Sequence, residues 1–259
     1  VHFFLSPHLD DAVLSCGGTI HQLTAAGETV HIRTVMSGDP PNPLPDTPIV
    51  RELHSRWNVG PTPMVVRRQE DHDAAALVGA QAEHMEIPDC VYRTSESGKA
   101  LYPDENSLWQ RVHPLDPAIR RLGGFRLPAD VSHVYIPLGV GNHVDHMVVR
   151  EIGIALYRLL QTAGNPADVR FYAEYPYSED ADATQKALAS ISTEIKLAHH
   201  PTVLTYTDIA KKVEAVKAYQ SQISTFWEDE FVLEKRIRTA LTAQSKQPSE
   251  HYYQVQRGN

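Results

Sequence analysis

The stretch Val1-His2-Phe3-Phe4-Leu5-Ser6-Pro7-His8-Leu9-Asp10-Asp11 decides the fold. Residues 1–5 are an apolar run that reads as a buried strand, and the apolar periodicity of residues 11–26 reads as a helix. His8, Asp10 and Asp11 therefore fall where the carboxyl end of a strand meets the start of a helix, the place where open α/β sheets bind ligands. Gly27 stops the helix, and residues 29–35 alternate as a second strand. Strands interleaved with helices of this length imply βαβ units. The expected fold class is α/β, with a Rossmann-like, mainly parallel β-sheet flanked by helices.

Further along, helical patterns cover residues from 51 onward and 67–77, and residues 83–87 form a short apolar piece. Residues 94–115 are irregular and polar, and residues 117–122 can form a helical turn or two before Gly123-Gly124. A strand at 133–138 leads through Gly139-Val140-Gly141-Asn142 into a helix over 144–160. Residues 169–174 read as a strand closed by Pro176, residues 208–223 and 228–243 as helices, and residues 252–255 as a last strand. Prolines at 40, 41, 43, 45 and 48 exclude a helix or central strand there and make a stiff loop, either a wall for the site or plain surface. Gly17-Gly18 weakens the first helix but suits a close approach to the sheet. No repeat or linker divides the chain, so residues 1–259 are read as one domain.

With 42% hydrophobic residues the chain can bury a large core, and a net charge of −8 argues against nucleic acid or an anionic membrane as partner. Cys16 and Cys90 are too few for a cysteine-rich zinc site or a disulfide framework, and Cys16 reads as a buried thiol. No apolar run is long enough for a membrane span, and no secretory signal is visible, so the cytoplasm is the default expectation. Gly139-Val140-Gly141 lacks the third glycine of a dinucleotide motif, and no phosphate-binding loop occurs. Ser6, Ser15 and Cys16 lack a nucleophile-elbow context.

A second cluster, His143-Val144-Asp145-His146, also follows a core strand. Alone, each piece has an ordinary reading: an Asp before a helix is a cap, and a single His is surface or satisfied core. Together they suggest one metal site built from two distant parts of the sequence. His8 and Asp11 share one spacing with His143 and His146, and that spacing puts both members of a pair on one helix face. Catalytic zinc uses three His or carboxylate ligands and leaves a place for water. His8, Asp11 and His146 fit that set. Asp10 is then free to act as general base, and His143, as imidazolium, to stabilise an oxyanion and protonate a leaving amine. Asp145 either orients that imidazole or interacts with the helix dipole.

His8-Leu9-Asp10-Asp11 together with His143-Val144-Asp145-His146 resembles the PIG-L/LmbE-like zinc-dependent deacetylases, which remove N-acetyl groups from N-acetylglucosamine-containing molecules. Supporting stretches are Arg67-Arg68-Gln69-Glu70, Tyr172-Ala173-Glu174-Tyr175-Pro176-Tyr177 and Lys217-Ala218-Tyr219-Gln220-Ser221-Gln222-Ile223. The resemblance implies an LmbE-like fold, with Zn²⁺ (or Fe²⁺ or another divalent metal) on His8, Asp11 and His146, Asp10 as base, and His143 and Asp145 completing the catalytic group. It implies a hydrolase acting on a small-molecule N-acetylated sugar conjugate by Asp-assisted attack of metal-bound water. The chain departs from the family's His-Pro-Asp-Asp-Glu motif at Leu9 and Ala12, and Gly141-Asn142 stand where some members carry a tyrosine. Arg68 is a candidate substrate contact for an anionic or hydroxyl-rich group, against the ordinary reading of a solvated helix arginine. Two alternatives accompany this expectation: a metal-dependent hydratase of an unsaturated carboxylic acid on the same fold, and a non-catalytic sugar-binding module. A binding module has no use for Asp10 beside the metal.

Overall fold

The computed structural model describes residues 1–119, 125–191 and 195–256. In chain order the elements are β1 (His2–Ser6), α1 (Asp11–Ala25), β2 (Val30–Thr34), α2 (Pro48–Trp57), α3 (Pro63–Leu77) and β3 (Gln81–His84). Then come α4 (Glu105–Leu108), β4 (His133–Pro137), α5 (Val144–Thr162), β5 (Asp168–Tyr172), α6 (Ala181–Ser190) and β6 (Leu197–Val203). The chain closes with α7 (Tyr206–Lys217), α8 (Gln220–Phe226), α9 (Glu230–Thr242) and β7 (Ser249–Val255).

The strands form one sheet in the order β3-β2-β1-β4-β5-β7-β6. The first five run parallel, and β7 is antiparallel to both β5 and β6. β1 pairs with β2 on one side and β4 on the other, so the strand order reverses between β1 and β4. A crevice opens at such a reversal, beyond the carboxyl ends of the strands. Both conspicuous sequence clusters follow these two strands.

β1 is buried along its whole length because helices cover both faces of the sheet. Its alternate side chains enter different cores: Phe3 and Leu5 join α5 and the face that carries Ile152, while Phe4 packs with α1, α3 and α7 residues such as Val13, Ala75 and Val213. On the second face α1 and α7 meet closely. A Cβ on Gly18 would stand 2.4 Å from Leu204 Cδ1 and 3.1 Å from Glu250 Oε1, so only glycine lets these groups approach. Glu250, from β7, accepts hydrogen bonds from the backbone N–H of Gly18 (2.9 Å) and Thr19 (2.8 Å). It also pairs with the Lys212 ammonium at 2.7 Å, which in turn donates to Ser15 O. These buried charges are thus met by full hydrogen bonding. The close approach expected at Gly17-Gly18 is real, but it is made to α7 and β7 rather than to the sheet's centre.

Several expectations are adjusted. The single helix read at 208–223 is two, α7 and α8, because the chain leaves helical geometry at Tyr219, whose phenol donates to Asp71 at 2.7 Å. Pro48 opens α2 instead of excluding it, since the first helical turn needs no N–H there, and Thr47 caps the helix from its side chain. Of the turn read at 117–122, residues 117–119 form a 3₁₀ turn, while the rest and Gly123-Gly124 lie outside the described residues. α4, α6 and β6 carried no readable pattern; β6 is an edge strand with exposed His199, His200 and Pro201. Among the described residues no helix is long and apolar enough to cross a membrane.

Candidate metal centre and active site

The turn from β1 into α1 is fastened by Ser6. Its hydroxyl donates to His8 O (2.7 Å) and accepts from the backbone N–H of Ala12 (3.1 Å), so the helix start is capped from five residues ahead of Asp11. Asp10, at the cap position, makes no capping hydrogen bond. Asp11 Oδ2 accepts from the backbone N–H of His8 at 2.8 Å. That same oxygen lies 3.2 Å from His8 Nδ1 and 3.3 Å from His146 Nε2. A tetrahedral metal with bonds of about 2.0–2.1 Å has ligand–ligand edges of about 3.3–3.4 Å. These separations match it.

A second observation supports the fit. His146 Nε2 is buried with no hydrogen-bond partner among the described residues, although Asp11 Oδ2 stands 3.3 Å away. A native structure rarely buries such a nitrogen unserved, and a cation would serve it. The donor nitrogens of His8, His143 and His146 also fall within 4.8 Å of one another, so His143 stands beside the set. Five carboxylates, Asp10, Asp11, Asp89, Asp145 and Glu174, are buried here with two guanidinium groups, Arg67 and Arg93. Such an excess of negative charge suits a divalent cation.

Both candidate imidazole ligands are held at their far nitrogen. His8 Nε2 contacts Asp145 Oδ2 at 3.1 Å, and His146 Nδ1 contacts Glu174 Oε1 at 3.2 Å. Each carboxylate fixes the tautomer that leaves the other ring nitrogen, His8 Nδ1 or His146 Nε2, free for a metal. Glu174 is anchored by the backbone N–H groups of Gly139 (2.7 Å) and Val140 (3.2 Å), and Asp145 by the Cys90 N–H (2.9 Å) and the Arg93 guanidinium (2.5 Å). Arg93 is itself completed by Asp116, which also accepts from the Tyr102 phenol.

The ionisation of the group follows. Burial pushes up the Asp10 carboxyl and Asp11 adds to the push, so that even with Arg67 opposing it the group sits at about 7. Burial would do the same to Asp11, but His146 and His8 hold it well below the usual range. Burial opposes charge on Asp145 as well, yet Arg93 and then His8 keep it well below. His146 pays for burial too, but Asp11 and Glu174 raise it to about 9. His143 goes the other way: burial first, then the neighbouring His8 and His146, hold it well below an ordinary histidine.

These causes favour the neutral form of His143, where the sequence reading expected an imidazolium. Its Nδ1 accepts the backbone N–H of Asp145 at 3.3 Å, so the ring proton resides on Nε2. The Asp145 carboxylate does not hold this ring by a hydrogen bond; its bonds go to His8, Cys90 and Arg93. Asp145 serves the first strand's histidine across the crevice.

Arg68 donates to Ser37 O (2.8 Å) and Asp39 (2.9 Å), fastening the loop after β2. Its neighbour Arg67 is the buried one. Its guanidinium lies over Trp57 (4.6 Å) and 3.8 Å from Asp10 Oδ2. Gly141 adopts φ +82°, and a Cβ there would meet the rings of Tyr177 and Trp109. Trp109 packs edge-on to His143 (5.2 Å) and Tyr177 edge-on to His146 (5.4 Å), which gives the centre an aromatic border. Glu174 and Arg67 lay in supporting stretches without a site role, and Arg93 and Asp89 escaped the sequence reading. Only Glu174 had a signal available, as an acid just beyond a strand's carboxyl end like the other two clusters.

The family model described as GlcNAc-PI de-N-acetylase, PIG-L, matches residues 3–157. A 2'-N-acetylparomamine deacetylase of Niallia circulans is 30% identical over 190 residues, which span 67% of this chain and 66% of that protein. The zinc-inhibited form of teicoplanin deacetylase Orf2 superposes with a TM-score of 0.79 at 22% identity, covering 100% of this chain and 98% of that one. An N,N'-diacetylchitobiose deacetylase from Pyrococcus horikoshii gives 0.55 at 16% identity, over 98% and 82%. These two show the shared fold.

Proposed function

The chain belongs to the PIG-L family of de-N-acetylases, and from that premise we propose that it is a zinc-dependent hydrolase releasing acetate from the N-acetyl group of an amino-sugar conjugate. His8, Asp11 and His146 would hold the metal. A bound Zn²⁺ supplies acidity to water and polarises the amide carbonyl. The observation that carries the reading is the Asp10–Asp11 pair: adjacent carboxylates, one spent on the ligand set, the other free of hydrogen bonds and poised at about 7. A base works best with a pKa near the working pH.

Asp10 takes the proton of the attacking water and, with that proton, becomes the acid that can return it to the leaving amine. Arg67, beside it, keeps the ionised form accessible. His143 donates its Nε2–H toward the developing oxyanion as a neutral imidazole, which costs no charge in the buried site. Asp145, secured by Arg93, and Glu174, secured by the loop after β4, keep His8 and His146 turned toward the metal. The border of Trp109 and Tyr177 offers apolar faces to a sugar ring or its aglycone, and Arg68 can exchange exposed Asp39 for a substrate group.

The test is to incubate zinc-loaded protein with N-acetylated amino-sugar conjugates, including paromamine- and glycopeptide-type acceptors, and measure acetate and free amine. Equal amounts of both are expected. Hydration of an unsaturated carboxylic acid with no amide cleavage would replace this reading with the hydratase.

A further inference from the structure

Cys90 has no part in the reaction just described, yet its thiol faces the reacting group. It is fully buried at the start of a 3₁₀ turn, Cys90–Tyr92, and its Sγ lies 4.0 Å from His143 Nε2. That sulfur is the only polar partner given to Nε2 among the described residues. The Asp145 carboxylate completes the group: one donor atom each from Cys90, His143 and Asp145 falls within 4.8 Å of the others. For zinc with bonds of about 2.3 Å to sulfur and 2.0–2.1 Å to nitrogen, a tetrahedral S–N edge is about 3.5 Å. The observed 4.0 Å exceeds that edge by about half an ångström.

We propose that Cys90, His143 and Asp145 form a second cation position adjoining the His8–Asp11–His146 set, one that admits thiophilic divalent ions and withdraws His143 from the reaction. That withdrawal rests on the role given to His143 under the proposed function; the cation position itself does not. The ion comes from solution. The Cys90 thiol proton is released to solvent as the sulfur–metal bond forms, and the imidazole moves its remaining proton from Nε2 to Nδ1 so that Nε2 can ligate. That move gives up the 3.3 Å hydrogen bond from the Asp145 N–H. Asp145 is also shared with His8 and Arg93. The second position is therefore the weaker one and fills only after the first. A thiolate donor selects Zn²⁺, Co²⁺ or Cd²⁺ over Mg²⁺ and Ca²⁺.

The experiment titrates metal-free protein with Co²⁺ and follows its absorption. The first equivalent, bound by nitrogen and oxygen, should give weak visible bands only. A second, weaker equivalent should bring a near-ultraviolet thiolate-to-cobalt charge-transfer band, with release of one proton. Cys90→Ser and Cys90→Ala should keep the first equivalent and lose the second with its band, whereas Cys16→Ser should keep both. In acetate-release assays, inhibition by excess Zn²⁺ should require at least about tenfold more metal in Cys90→Ser than in the unaltered chain, and Mg²⁺ should not inhibit. A single equivalent without the band in the unaltered chain, or a band that persists in both folded Cys90 variants, would overturn the proposal. The cobalt band and the proton release need no substrate, so they stand whether or not the deacetylase reading does.

Discussion

Two strand-to-helix junctions meet at the centre, and they are built on opposite plans. The junction after β1 is self-sufficient. Ser6 caps α1 and Asp11 binds the His8 N–H, so the side-chain bonds that shape the turn lie within residues 6–12, while the Ser6 and Pro7 carbonyls accept from the Val35 and Met36 N–H groups of the neighbouring strand's end. The junction after β4 depends on visitors. Its loop passes through left-handed Gly139, Gly141 and Asn142, and two of its backbone N–H groups are held by Glu174, from beyond β5. Its own acid, Asp145, leaves to support His8 and needs Arg93 to stay charged. The lesson is that similar spacing, a donor pair three residues apart, does not imply similar support. One junction can be read locally; the other is held by contacts that the fold alone brings together.

The comparison breaks most sharply if the metal set is wrong. His146→Ala should lose bound zinc, measured by metal analysis, and with it all acetate release. Asp10→Asn should keep the zinc and lose about 10²–10⁴-fold in kcat. Near-normal turnover in metal-loaded Asp10→Asn would reduce Asp10 to a bystander of the self-sufficient junction.

The visiting contacts come next. Arg93→Met leaves the buried Asp145 carboxylate without its guanidinium, and breaking such a pair costs about 3–5 kcal/mol. Urea denaturation should show that loss. Stability unchanged within about 0.5 kcal/mol would mean that Asp145 does not rely on Arg93. Glu174→Gln and Asp145→Asn each remove the carboxylate behind one histidine. Both should weaken zinc about 10–100-fold in chelator competition while keeping the ligands themselves. If only Glu174→Gln did so, the support of His8 would reside within its own junction after all.

The pH profile of kcat/KM gives a smaller and more selective effect. A base works as carboxylate, and Asp10 is raised to about 7, so the rate should climb with pH and level off above its pKa. A bound cation favours the carboxylate, placing this acidic limb at or below about 7. His143 is held below the usual histidine range, and a neutral His143 should add no descending limb. A basic limb that disappears in His143→Gln would restore the imidazolium.

How much was legible follows the same division. The mainly parallel core and the residues that close on the centre were readable because each rests on a local pattern: an apolar strand, a helical period, and chemistry placed between them; the reversal between β1 and β4 is a matter of strand order that no local pattern carries. Arg93, Asp89 and Asp116 gave no warning, since they sit in irregular segments whose partners are distant in sequence, as with Asp145, 55 residues beyond Cys90. Arg67 and Arg68 show the limit of resolution. Adjacent helix positions point about 100° apart, and no periodicity says which arginine is swallowed by Trp57 and Asp10. What sets the protonation of His143 was out of reach for a related reason: it depends on burial, and on two other histidines, that only the folded chain assembles. The break at Tyr219 likewise belongs to Asp71, 148 positions earlier.

The contact of Glu250 with α1 bears on where this module ends. The family match stops at residue 157, which invites anyone transplanting the centre to cut soon after α5. Such a cut would strand the amides of Gly18 and Thr19, and would remove both members of the ion pair that lies against the helix begun by Asp11. The ligand-bearing helix is thus latched by almost the last residues of the chain. A graft that respects this boundary must carry β7 along with the donors, even though β7 contributes no atom to the metal.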